Sequence, residues 1–111
     1  MKKEDKELLL KDLCARLLYG VKIHQALYGA TTLNERDIES FRKGFDDILI
    51  PYLRPMSSMT EEEKIDYQAF FNYDGIEYPE EYIDWLNAHH FDYRGLIEKG
   101  LALEALEGMY K

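Results

Sequence analysis

The sequence His89-His90-Phe91-Asp92 holds the residue types best suited to metal or acid–base chemistry, because imidazole and carboxylate groups bind zinc and transfer protons. A zinc site needs several ligands that converge on one point. Adjacent residues of a helix point about 100° apart, so one ion would not readily take both histidines. We therefore expect His89 to pack on an apolar face with Trp85, and His90 to cap a helix or lie at the surface. A metal-dependent hydrolase that uses His89, His90 and Asp92 is the least favoured hypothesis.

Cys14 is the single cysteine of the sequence. A nucleophilic cysteine needs a base or an electropositive pocket beside it. Cys14 instead recurs with leucines at helical spacing, so we expect a buried structural thiol. The sequence contains no glycine-rich phosphate loop and no HExxH, CxxC or GxSxG motif. We therefore predict that the protein is not an enzyme and binds no cofactor.

Acidic residues are concentrated between residues 61 and 84. The net charge is −8, and this stretch has nine acids and one base, so the rest of the chain sums to zero. Nucleic-acid-binding proteins normally carry a basic patch, so direct binding to DNA, RNA or an anionic membrane is disfavoured. The stretch could be a solvated surface, imitate the phosphate charge of DNA, or supply a carboxylate pair for hydrolysis. Its predicted acidic surface consists of Glu61, Glu62, Glu63, Glu80 and Glu81.

Residues 51–63, PYLRPMSSMTEEE, combine structural signals with a possible contact surface. The two prolines interrupt regular structure, because neither can donate a backbone hydrogen bond. Ser58 with Glu61 and Thr60 with Glu63 both fit a capping box, which predicts a helix that begins near Thr60.

The proline and capping signals of this segment do not explain the side chains of Tyr52, Leu53 and Arg54. Tyrosine, arginine and methionine are enriched at protein interfaces. We therefore predict a protein-binding surface formed by Tyr52, Leu53, Arg54 and Met56, with inward packing of the first three as the alternative.

The elements of the N-terminal half are read from apolar spacing. A helix is predicted over residues 5–18, with Gly20 as its cap, and a short strand follows over 21–27. Residues 27–50 are ambiguous. A capping-box pattern at 32–35 favours a helix over about 33–43, whereas the glycines and threonines of this region also suit turns between short strands. Residues 45–50 fit a strand or a helical turn.

The elements of the C-terminal half follow from capping signals. The helix that begins near Thr60 should carry Ile65, Ala69 and Phe70 inward, and residues 72–75 should form a turn. A second helix is predicted over 79–90, with proline as its first residue. Asp92 should cap a short helix that Gly100 ends, Arg94 should pair with a nearby acid, and residues 101–106 should form a final strand.

Size and composition predict one domain over residues 1–111, of the α+β class, mainly helical with a few short strands. The chain has 111 residues and 46% apolar residues, which is sufficient for a packed core. Uninterrupted apolar runs are too short for a signal peptide or a membrane span, and the lone cysteine favours a reducing interior. We therefore expect a cytoplasmic protein.

Three stretches carry a resemblance to known sequences: KDLCARLLYGV, IPYLRPMSSMTEEEK and DWLNAHHFDYRGLIEKGLALEALEGMYK. They resemble a set of small uncharacterised proteins encoded by gut Bacteroides and relatives, often in phage or mobile-element regions. The resemblance covers roughly residues 10–23, 48–66 and 82–111, and it implies a genomic setting without an established activity. Leu18 and Leu106 stand where that family often has proline. Many relatives have short strands within residues 24–47, which argues against a helix at 33–43.

These observations favour a non-enzymatic interaction or accessory protein, encoded by a phage or mobile element, that binds an unidentified protein partner. The alternative is an acidic inhibitor, or DNA mimic, of a host defence nuclease. A mimic should lose its basic partner steeply with added salt and after charge reversal at Glu61, Glu62 and Glu63. An interaction module should instead be weakened by Tyr52→Ala and Arg54→Ala.

Overall fold

The computed structural model describes residues 2–25, 27, 29–44, 49–72, 75–76 and 78–110. It confirms the α+β class, with helices and short strands in alternation. The described helices are α1 (Lys3–Arg16), α2 (Glu35–Arg42), α3 (Glu61–Gln68) and α4 (Pro79–Ala88). The described strands are β1 (Lys22–Gln25), β2 (Gly29–Thr32), β3 (Tyr52–Leu53), β4 (Phe71–Asn72), β5 (Gly75–Ile76) and β6 (Leu103–Glu104).

Helix α1 confirms the first predicted helix. A 3₁₀ turn over Leu17–Tyr19 extends it, and Gly20 ends it in the left-handed region with φ of 72°. The buried face of α1 carries Leu9 and Leu13 together with two charged residues, Asp12 and Arg16.

Cys14 is exposed, so the prediction of a buried thiol is wrong. Leu13 is fully buried, and Cys14 follows it about 100° further around helix α1. The buried stripe is centred on Leu9, Asp12 and Leu13. A prediction based on leucine spacing leaves out the buried Asp12 and therefore places the stripe too close to Cys14.

The ambiguous region 27–50 contains both a strand and a helix. Strand β2 pairs antiparallel with β1, and helix α2 follows it, which confirms the predicted helix. Its cap is Asn34, whose side chain accepts from the Asp37 amide at 3.0 Å. Helix α2 therefore begins slightly later than the capping pattern at 32–35 predicted. Residues 45–48, where the prediction was a strand or a helical turn, lie outside the described part of the chain.

The segment after Pro51 links two of the three two-stranded sheets among the described residues, β1–β2 and β3–β6, and we call this linked pair the sheet. Strand β3 pairs parallel with β6, with Tyr52 opposite Leu103. Pro51 lacks an amide hydrogen, but its carbonyl accepts from the Leu103 amide at 2.9 Å. The other edge of β3 contacts β1 through the Ile23–Pro51 bridge. The final strand predicted at 101–106 is confirmed by β6, although it is shorter.

A tyrosine side chain completes the sheet between β1 and β3. The Tyr110 hydroxyl donates to the Tyr52 carbonyl at 2.6 Å and accepts from the Lys22 amide at 2.8 Å. Burial raises the pKa of Tyr110 to about 12, so the phenol keeps the proton that it donates. This hydroxyl replaces backbone bonds that the two strands do not make directly.

An aliphatic core joins α1, the sheet and α2, and we call this part of the molecule the body. Its side chains are aliphatic or aromatic and lie at most 6% exposed. They are Leu9, Leu13, Val21, Ile23, Leu33, Ile38, Phe41, Leu49, Leu53, Leu96, Leu101 and Ala102. The buried face of α1 supplies one wall, and the chain after Asp92 supplies another.

A buried ion cluster lies beside this core. Asp12 is fully buried and accepts from Arg16 Nε at 2.8 Å and from Arg94 Nε at 3.0 Å. Arg16 is also fully buried and donates from Nη2 to the Phe91 carbonyl at 2.6 Å. Arg94 therefore pairs with an acid, as predicted. The carboxylate of Asp12 holds together two cations that lie 78 positions apart in the sequence.

The second part of the molecule is built from α3, the β4–β5 hairpin and α4, and we call it the acidic lobe. Helix α3 begins with a capping box in which Thr60 and Glu63 exchange hydrogen bonds, as predicted. Strands β4 and β5 pair antiparallel, and α4 starts with Pro79 at its first position. Within the described residues, no helix is long and apolar enough to cross a membrane.

Candidate interaction surface

Tyr52 and Leu53 are buried, which corrects the prediction that they form an exposed contact surface. Leu53 is 0% exposed and belongs to the aliphatic core, while Tyr52 is 7% exposed. The Tyr52 hydroxyl lies 3.0 Å from His24 Nδ1. Both residues pair with a strand about fifty positions later. Neighbouring side chains of a strand point to opposite faces, so both faces of β3 are covered.

Arg54 and Met56 are half-buried, and Arg54 has a structural partner. Its guanidinium donates to both carboxylate oxygens of Glu63 at 2.6 and 2.7 Å. The same group stacks over the Phe91 ring at 4.2 Å. A bidentate pair of this kind is among the stronger ion pairs of a protein surface. Arg54 therefore anchors α3 to the body and is not a free contact residue.

Glu63 is part of this anchor, which corrects its assignment to the acidic surface. Its side chain is 12% exposed and lies 3.1 Å from His89 Nδ1. The hydrogen bonds from Arg54 are the main cause that lowers the pKa of Glu63 to about 2. The capping box at Thr60 stabilises the same charged form. Glu63 thus remains ionised and joins α3 to both β3 and α4.

The two histidines serve different parts of the structure. His89 packs against Trp85 with ring centroids 4.5 Å apart and ring planes inclined by 38°, which confirms the predicted packing. His90 is 9% exposed and not a surface residue, so that part of the prediction is wrong. Its backbone ends α4 in the left-handed region with φ of 63°, which turns the ring inward onto Tyr110 at 3.8 Å. Burial, followed by the charge of Arg16, lowers the pKa of His90 to about 4.

The Asp92 carboxylate caps the segment that follows it, but residues 96–100 form turns and not the predicted short helix. It accepts from the amides of Leu96 and Ile97 at 2.8 and 2.9 Å. His89 faces Glu63, His90 faces Tyr110 and Asp92 faces these amides, so the three candidates do not converge. Across the part of the chain that the structure describes, no group of three or more histidine, cysteine or acidic side chains is placed to hold a metal ion.

The other predicted acids are exposed. Glu61 and Glu62 occupy the first turn of α3, and Glu80 and Glu81 occupy the first turn of α4. Tyr67 packs against both Tyr82 and Trp85, while Glu63 contacts His89, so the two helices run antiparallel. The two acidic turns therefore lie at opposite ends of the acidic lobe.

Helix α3 has no buried side chain. Ile65 is 68% exposed and Ala69 is exposed as well, which corrects the prediction that both pack inward. Only Glu63, Tyr67 and Phe70 are half-buried along one line of the helix. Ile65 lies almost opposite that line, because successive residues turn by about 100°. The outer side of α3 thus presents an isoleucine among acidic residues.

An aromatic seam holds the acidic lobe together. Tyr67 contacts the rings of Phe71, Tyr82 and Trp85 at centroid distances of 5.0 to 6.3 Å. Desolvation and the neighbouring Tyr67 raise the pKa of Tyr82 to about 12. Phe70 completes the seam against Tyr82 at 5.6 Å. These rings, half-buried except for the more exposed Phe71, replace the aliphatic core found in the body.

Apolar side chains reach solvent around this seam. Phe71 and Ile76 are cross-strand partners on the hairpin, and each is 42% exposed. Tyr78 is 63% exposed and takes a φ of 55°, an uncommon conformation for a tyrosine. Ile83 is exposed on α4 beside Glu80 and Asp84. These residues combine apolar area with dense negative charge, and the sequence patterns gave no sign of them.

A groove of about 440 Å³ lies between the start of the acidic lobe and the C-terminal segment. One wall is formed by residues 54–63 and the other by residues 104–110. The walls follow the carboxyl ends of parallel strands β3 and β6, which explains why they face each other. Tyr110, the residue that completes the sheet, also lines this groove.

Comparisons with known proteins found no matching family model, no matching curated protein and no matching solved structure.

Proposed function

We propose that the protein is a non-enzymatic interaction module whose acidic lobe binds a basic surface of a partner protein. The observation that supports it best is the exposed apolar set of the lobe, Ile65, Phe71, Ile76, Tyr78 and Ile83. Single exposed apolar residues are ordinary, whereas a contiguous apolar patch is typical of a protein contact. Phe71 and Ile76 lie side by side on the hairpin and form the start of such a patch.

The charge of the lobe supports the same proposal and specifies the partner. The exposed acids on the two helices are Glu61, Glu62, Asp66, Glu80, Glu81 and Asp84. Lys64 is the base of α3, and it already pairs with Glu61 at 3.3 Å. Complementary charge increases association rate and selects partners, so the expected partner carries lysines and arginines around an apolar centre.

The test is affinity purification with paired charge-reversal variants. Reversal of Glu80 and Glu81 to lysine should remove the partner, because both acids are exposed and neither supports a described ion pair. Reversal of Glu4 and Glu7, which are exposed on α1, changes the net charge equally and is the matched control. A partner that survives the lobe reversal, or is lost in both variants, would contradict the proposal.

A second candidate is an inhibitor that imitates DNA, favoured by acids displayed on two antiparallel helices. A DNA mimic binds its partner through charge alone. Its complex should therefore dissociate at about 1 M salt, where the Debye length falls to about 3 Å. An interface that includes Ile65 and Tyr78 should keep measurable affinity there. DNA should compete with a mimic for the partner and should not compete with an apolar contact elsewhere. The mobile-element origin stays a prediction.

A further inference from the structure

The groove between the acidic lobe and residues 104–110 has apolar walls. Pro55 lines one side, and Leu106 and Met109 line the other. Leu106 is 63% exposed, and Met109 is half-buried. The Tyr110 ring is fixed by its stack on His90 and by its two hydrogen bonds to the sheet. The volume of about 440 Å³ falls within the range of small binding clefts.

The charged side chains that line the groove leave an excess of negative charge. Arg54 and Glu63 both line it, but they neutralise each other through their bidentate pair. Glu104 and Glu107 also line it, are exposed, and have no ion-pair partner among the described residues. The groove therefore presents two uncompensated carboxylates beside apolar walls. Positive charge next to an apolar side chain complements this arrangement.

We propose that the groove binds an extended basic segment of a partner protein, with an apolar side chain between Pro55 and Leu106 and a lysine or arginine against Glu104 and Glu107. The inference rests on the proposed function in one respect, that the natural ligand is a protein. It uses a surface different from the exposed apolar set of the acidic lobe. The two surfaces would bind different parts of one partner.

The probe is a short synthetic peptide of alternating lysine and leucine, titrated into the isotope-labelled protein and followed by NMR. A lysine–serine peptide of equal charge tests the apolar requirement, and a glutamate–leucine peptide tests the charge requirement. We expect the lysine–leucine peptide to bind most tightly and to shift the amide signals of residues 104–110. Equal binding of the lysine–serine peptide, or shifts confined to other residues, would overturn the inference.

Two groove variants test the geometry. The double variant Glu104→Lys with Glu107→Lys should weaken peptide binding about tenfold, since it removes two exposed ion pairs. Leu106→Ser should also weaken it, and its side chain is exposed enough to leave the fold intact. Glu98→Lys, an exposed charge reversal away from the groove lining, should leave binding unchanged. Unchanged affinity in both groove variants would refute the site.

The two experiments distinguish failure of the groove inference from failure of the proposed function of the lobe. If Glu80→Lys with Glu81→Lys removes the partner but the lysine–leucine peptide does not bind, the groove inference alone is wrong. If the peptide binds as expected and the partner survives the lobe reversal, the role of the lobe is wrong and the groove inference stands.

Discussion

The body and the acidic lobe pack their interiors with different kinds of side chain. The body buries aliphatic side chains almost completely, and its ion cluster places Asp12 and Arg16 at 0% exposure. The acidic lobe has an aromatic seam, and α3 contains no buried residue. The pair of Arg54 and Glu63 connects the two parts. The body also exposes Leu18 and Leu27, at 91% and 87%. The two parts therefore differ in how they pack their interiors, and apolar side chains reach solvent in both.

Loss of Asp12 is the most severe test of the body. Asp12→Ala leaves two arginines without their carboxylate, one of them fully buried, and should reduce the free energy of unfolding by about 4 kcal/mol. Glu39→Ala is the control, because Glu39 is half exposed and pairs only with exposed Arg42 and Lys43. It should cost less than about 1 kcal/mol. Denaturant unfolding measures both, and equal losses would remove the distinction between buried and surface charges.

Acidification should weaken the junction between α4 and the C-terminal segment. His90 has a folded pKa of about 4 against 6.5 for the free side chain, so the unfolded state binds more protons between these values. Stability is therefore lost as the pH falls from about 6.5 towards 4, by about 3 kcal/mol. His90→Asn removes the titrating group and tolerates the positive φ. The variant should show a flatter pH dependence in thermal unfolding, and an unchanged slope would assign the effect to other groups.

Removal of Glu63 should separate the lobe from the body. Glu63→Gln loses the charge that Arg54, His89 and the cap of α3 share, and we expect a cost of about 2 kcal/mol. Amide hydrogen exchange should show faster opening of α3 than of β1 and β3. Glu61→Gln, at an exposed acid in the same turn, is the matched control. Uniform loss of protection in both parts would show that they unfold as one unit.

The outer side of α3 should show the smallest effect on stability. Ile65→Ser removes an exposed side chain and should change the free energy of unfolding by less than about 0.5 kcal/mol. The same substitution should weaken partner binding, since the apolar contact is lost. Ile23→Ser, in the core of the body, is the contrasting variant and should destabilise strongly. A large stability loss for Ile65→Ser would mean that this surface already packs within the protein.

Local sequence patterns predicted where helices and strands lie better than they predicted which residues these elements contact. The capping box of Thr60 and Glu63 and the glycine at position 20 act over a few residues, so the sequence displays them directly. The burial of Tyr52 depends on pairing with residue 103, and no local signal contains that contact. Pro51 suggested an interruption because its missing donor is visible in sequence, whereas the acceptor role of its carbonyl is not.

The candidate surface was predictable only in part. The acids of α3 and α4 were identified from charge, and four of the five predicted surface acids are exposed. Glu63 has the same residue type but a different position, opposite Arg54. Asp12 and Arg16 of α1 are charged residue types that are usually exposed, yet both lie on the buried stripe. Exposure depends on tertiary neighbours, which residue type and local spacing do not reveal.

The hydroxyl of Tyr110 has a consequence for folding kinetics. It joins amide and carbonyl groups that lie 88 and 58 positions earlier in the chain. Closing such long loops costs conformational entropy, so this contact should form after the rate-limiting step. Tyr110→Phe should therefore accelerate unfolding and leave the refolding rate almost unchanged in stopped-flow measurements. We therefore expect the residue that completes the sheet to determine how long the native state lasts more than how fast it is reached.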